Sequence, residues 1–107
     1  MSDLEDQFAL QLRAAGLPEP LREYQFHGTR KWRCDMAWPE YRVLAEIQGG
    51  TYQHMGHSTG EGLHRDYEKI NSAQMMGYVA LQFDRRMIED GSALAAVCDA
   101  LKWRCEG

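Results

Sequence analysis

Long apolar runs are absent from this 107-residue chain. None approaches the roughly 18 residues that a membrane span requires, so no membrane role is expected. Cysteine is scarce and odd in number, at Cys34, Cys98 and Cys105. Such a count argues for free thiols in a reducing compartment rather than for a disulfide scaffold. Cys98 and Cys105 stand two helical turns apart, which suits a buried stripe better than a zinc cluster. An excess of basic residues is missing too. The formal charge is −4, so the bulk composition does not mark a nucleic-acid binder. Repeats, low-complexity tracts and linkers are lacking. The opening MSDLEDQF is acidic and reads as neither a signal nor a transit peptide, so a cytoplasmic protein is expected.

What is present is an ordinary globular balance, 44% hydrophobic and 26% charged. Disorder and fibrous architectures are excluded, and residues 1–107 are expected to form one domain. The charge is unevenly spread. Residues 1–20 carry −3, residues 21–42 carry +2, and residues 43–107 carry −3. Arg30, Lys31 and Arg33 form the basic centre, and phosphate contact is expected there.

Periodicity predicts the elements. Leu4, Phe8, Leu12 and Ala15 recur at helical spacing over 3–15, closed by Gly16 and Pro18. Tyr24–His27 reads as a short strand. Trp32, Cys34, Met36 and Trp38 alternate with Arg33, Asp35 and Ala37, predicting a strand with one apolar face. Pro39 and Glu40 read as a two-residue turn into a strand over 41–48, with Val43, Ala45 and Ile47 on one face. Thr51–Gly62 reads as a glycine-rich loop. A helix is predicted over 63–76 with a stripe of Leu63, Tyr67, Ile70 and Ala73. Tyr78–Phe83 reads as a strand, and Asp90-Gly91-Ser92 starts a last helix. The expected architecture is α+β (mixed α/β), a sheet flanked by helices in the order αβββαβ with an extra C-terminal helix.

The chemistry-bearing residues cluster on the central hairpin. Asp35 lies in mid-strand, and Glu46 and Gln48 share one face of the next strand. Carboxylates on paired strands can converge on an oxygen-loving cation such as Mg2+. Such an ion generates a nucleophile and stabilises charge on a phosphodiester. Solvent-facing carboxylates without a metal fit the same spacing.

The pattern Asp35…Glu46-Ile47-Gln48 resembles the PD-(D/E)XK nuclease signature. The wider block from Phe26-His27-Gly28-Thr29-Arg30-Lys31-Trp32-Arg33 through Asp35, Ala37, Trp38 and Pro39 is similar to small phage-encoded nucleases. Glu46-Ile47-Gln48-Gly49-Gly50, then His57, Gly60 and Gly62, then Asp66, Glu68-Lys69 and Asn71 extend the resemblance. It implies the restriction-endonuclease-like fold shared with Holliday-junction resolvases and very-short-patch repair nickases. It also implies a Mg2+-dependent DNA endonuclease, with Mn2+ able to substitute, that leaves a 5′-phosphate. Phage encoding would place it in host-cell cytoplasm.

Under that resemblance Asp35, Glu46 and Glu5 are metal ligands. Gln48 stands where the signature has lysine, and Lys69 on the following helix is positioned to supply the missing charge. Arg30, Lys31, Arg33 and His57 are expected to contact DNA. Cutting both strands asks for a homodimer or for two successive nicks. Two other readings stay open. His54-x-x-His57 with His64 permits a zinc or His-metal site, and the departures at Gln48 and in the loop permit a catalytically silent nucleic-acid-binding module.

Overall fold

The computed structural model describes residues 3–48 and 60–106. The architecture is α+β, a four-stranded mixed sheet between helical layers. Helix α1 spans Asp3–Ala14, and strand β1 spans Leu21–Gln25. Strand β2, Arg33–Trp38, leads through a 3-10 turn, Pro39–Tyr41, into β3, Val43–Gln48. Helix α2, Gly60–Met75, crosses over to β4, Val79–Asp84. Helices α3, Arg85–Asp90, and α4, Ser92–Glu106, follow. The strand order is β1-β2-β3-β4. The first three strands are antiparallel, and β3 pairs with β4 in parallel. No helix among the described residues is long and apolar enough to cross a membrane.

The helical stripes and the strand alternation explain the layers. Leu4, Phe8 and Leu12 of α1 pack with Met36, Trp38, Val43 and Ala45 of the sheet and with Val97 and Leu101 of α4. Phe8 meets Phe83 edge-on, ring centroids 5.6 Å apart. The opposite face is smaller. There Leu44, Ala37 and Cys34 pack with Phe26, Tyr78 and Ala73, the last from α2.

Several local readings are corrected. Strand β1 begins at Leu21 rather than Tyr24. Its residues are mostly exposed, so LREYQ shows no apolar period to mark it. Cys34 packs with Ala37 and Leu44, whereas Met36 and Trp38 pack on the other face. Strict alternation would put Cys34 with Met36, so the period breaks around Asp35. The two-residue turn at Pro39 is a 3-10 turn closed by Arg42 in the left-handed region, φ 58°. Helix α2 starts at Gly60, inside the stretch read as loop, and Tyr67 is 59% exposed rather than buried. Helix α3 is an added element. Asp84 caps it by accepting from the Met87 N–H, and Gly91 ends it in the left-handed conformation.

Arg42 ties two turns together. Its carbonyl accepts from the Val79 N–H at 2.8 Å. Its guanidinium donates to the Met76 carbonyl and lies 4.2 Å from the Tyr78 ring centroid. Arg42→Ala should therefore destabilise the fold by about 1–2 kcal/mol, the sum of one exposed cation–π contact and one hydrogen bond. Urea unfolding checks this. Arg42→Gly, which accepts the positive φ without strain, should lose less than Arg42→Ala.

Candidate functional site

Three carboxylates meet where α1, β1 and β2 come together. Glu5, Glu23 and Asp35 each offer an oxygen within 4.8 Å of the others. Glu5 enters from the first turns of α1. Glu23 and Asp35 face each other across the sheet, between the paired positions Arg22↔Met36 and Tyr24↔Cys34. Glu23 adopts φ 52° in mid-strand. A left-handed non-glycine residue costs about 1–3 kcal/mol and concentrates at functional positions.

Asp35 is anchored by the neighbouring strand. Its Oδ2 accepts from the Ile47 N–H at 2.7 Å. The β2–β3 ladder is registered from Trp38↔Val43 to Met36↔Ala45. Beyond Met36 the Asp35 side chain serves the β3 backbone, which accounts for the break in alternation at this point. Glu5 is anchored by Arg22, which donates to its Oε1 at 2.8 and 3.2 Å and to Asp6 at 3.1 Å. The hydrogen bond to Glu5 holds the Arg22 guanidinium above its ordinary pKa. Glu5 and Asp35 are half-buried and Glu23 is exposed, so the cluster opens to solvent.

Glu46 is placed differently from these three. Its Oε2 accepts from Lys69 Nζ, which also donates to the Arg33 carbonyl. Both side chains are about one-fifth exposed, 18% for Lys69 and 21% for Glu46. The buried Cys34 feels charges of both groups. Burial pushes its thiol up to about 12, Glu46 and Asp35 add to the rise, and Lys69 opposes it. At that value the thiol is neutral and is no nucleophile. Gln48 is half-buried at the end of β3, in register with Asp84 of β4.

Of the residues singled out in the sequence, Glu5 and Asp35 are brought together, and Glu46 is joined to Lys69. Among the described residues Glu46 enters no three-carboxylate group. Arg30, Lys31 and Arg33 are exposed around the β1–β2 loop and the start of β2. His57, with His54, lies outside the described residues. The sequence does not single out Glu23, because the strand that carries it is mostly exposed, with only Tyr24 half-buried. A carboxylate across the hairpin from Asp35 is the signal that a correct β1 register would have exposed.

Compared with known protein families, curated proteins and solved structures, the chain matches none.

Proposed function

We propose that this chain is a divalent-metal-dependent DNA endonuclease. The observation that carries the reading is the convergence of Glu5, Glu23 and Asp35; the Lys69–Glu46 pair and the exposed cations that lead into β2 are carried by the same β2–β3 hairpin and its flanks. A donor set made only of carboxylate oxygens fits a hard cation, Mg2+ or Mn2+, and lacks the His or Cys that zinc favours. Bound there, such an ion supplies Lewis acidity and a nucleophile at neutral pH.

The remaining roles belong to the chain itself. Asp35, held by the Ile47 N–H, and Glu5, held by Arg22, are oriented before any ligand arrives. Glu23 adds a third oxygen from the opposite strand. Lys69, paired with Glu46, is the positive charge we assign to offset the negative charge that develops on the phosphodiester. Gln48 can only donate or accept hydrogen bonds, so it orients rather than neutralises. Arg30, Lys31 and Arg33 grip the phosphates. One domain of this size covers little duplex, so cutting both strands requires a homodimer or successive nicks.

Metal titration of a chelator-treated preparation tests the reading. Mg2+ or Mn2+ should restore cleavage of labelled DNA, and Zn2+ should not. DNA binding without cleavage in any metal would instead assign a silent binding module on the same fold.

The grip on phosphates has its own expected result. Replacing Lys31 and Arg33 by alanine should weaken duplex binding and flatten its salt dependence. Each lost contact lowers the slope of log K against log salt by about 0.9. An unchanged slope would move the phosphate-binding surface elsewhere.

A further inference from the structure

The β1–β2 loop is internally clamped. His27 Nδ1 accepts from the Thr29 N–H at 3.2 Å and from the Arg30 N–H at 3.1 Å. Gln25 Nε2 donates to the Arg30 carbonyl at 3.2 Å. These bonds fix the turn that presents Arg30 and Lys31 and leads into Trp32. An accepting Nδ1 places the ring proton of neutral His27 on Nε2.

Trp32 is half-buried at this turn. Phe26 stacks with it, centroids 6.3 Å apart, and His27 meets it edge-on at 5.5 Å. The Arg30 guanidinium lies 4.7 Å from the Trp32 ring centroid. No carboxylate among the described residues pairs with Arg30. Trp38 contrasts with this arrangement. It is 2% exposed, and its indole N–H is donated to the Pro18 carbonyl, so it belongs to the core.

We infer that Trp32 is a stacking platform for an unpaired base, and that the substrate class of the proposed nuclease is DNA with a single-stranded stretch. The link to cleavage rests on the nuclease reading, whereas the binding itself does not. A base stacked on an aromatic ring gains more than the exposed cation–π contact it displaces. The displaced guanidinium is then free to meet the phosphate of the same nucleotide. In intact duplex each base is already stacked on its neighbours and presents only its edges in the grooves, so duplex cannot use this platform. The platform also lies at the right end of the sheet. Gln25 pairs with Arg33, whose carbonyl accepts from the same Lys69 Nζ that holds Glu46.

The test is binding of a labelled oligothymidylate and of a blunt hairpin duplex by the full chain, with chelator present so that nothing is cut. Wild type should bind the single strand more tightly than the duplex at equal salt. Trp32→Ala should lose about tenfold on the single strand with little change on the duplex, the size expected for one stacked base. Trp32→Phe should keep most of the affinity. Equal losses on both DNAs, or no loss on the single strand, would overturn the inference. Should Trp32→Ala fail to fold, wild type and Trp32→Phe are compared on an oligonucleotide carrying 2-aminopurine. Stacking should quench its fluorescence on binding, and an unquenched complex would overturn the inference. Absence of binding to either DNA would overturn it together with the nuclease reading. Selective single-strand binding without cleavage in any metal supports the platform and removes only the nuclease reading.

Discussion

Asp35→Asn should abolish cleavage while leaving the fold intact. The amide keeps an oxygen to accept the Ile47 N–H, so the β3 backbone bond at 2.7 Å has a replacement partner. What is lost is the charge that Asp35 brings to Glu5 and Glu23. Carboxylate ligands are what hold a hard cation, and without the cation neither nucleophile nor charge stabilisation remains. The loss should be on the order of a thousandfold or more, beyond the effect of one hydrogen-bond donor in an active site. Asp35→Ala should be equally inactive and slightly less stable, because the Ile47 N–H then turns to water. Single-turnover cleavage beside a urea melt separates the two effects. Near wild-type cleavage by Asp35→Asn, with an unchanged metal optimum, would remove Asp35 from the site.

Lys69→Ala should slow cleavage by roughly two orders of magnitude, the size expected for one preorganised electrostatic group. Two residues after Glu46 stands Gln48, which bears no charge. Lys69 brings the charge from α2, the helix that packs on the same face as Leu44 through Ala73. Its ammonium already sits on Glu46 and the Arg33 carbonyl, so little reorganisation is needed when a phosphate arrives. Lys69→Arg should recover part of the rate, since the charge remains but the geometry differs. Gln48→Lys should be tolerated and should partly restore Lys69→Ala. A melt of each variant is needed, because losing Lys69 leaves Glu46, 21% exposed, without its partner. Should Lys69→Ala cleave normally and Gln48→Ala not at all, the amide orients the water and the lysine is structural.

Much of the fold was legible because its periods are strong. Leu4, Phe8 and Leu12 mark α1, and all three are buried in the structure. Val43, Ala45 and Ile47 mark one face of β3 and pack in one cluster. The failures share a physical cause. β1 is an exposed edge strand, so burial leaves no trace in LREYQ. The break at Cys34 arises where the Asp35 side chain meets the Ile47 N–H, a contact made between strands and invisible to either strand alone. α3 depends on the Asp84 cap and Gly91 rather than on an apolar stripe, with Ile88 its one buried residue.

The site was legible as residue types and less so as partners. Asp35, Glu5, Glu46 and Lys69 stand out as charges near one hairpin. Which charge meets which depends on how α1 and α2 pack on the sheet. Glu23 needed the register of β1, and that register is set by backbone pairing with Arg33–Ala37 rather than by side-chain pattern.

The central claim is that this carboxylate cluster and its lysine hydrolyse DNA. Its most direct test is an assay of end-labelled branched, single-stranded and duplex DNAs with the wild-type chain, first in chelator and then with Mn2+ restored. The account predicts no cutting in chelator and Mn2+-dependent cutting that leaves 5′-phosphate ends. Products that form equally in chelator, or no product on any of these DNAs with Mn2+ present, would contradict it.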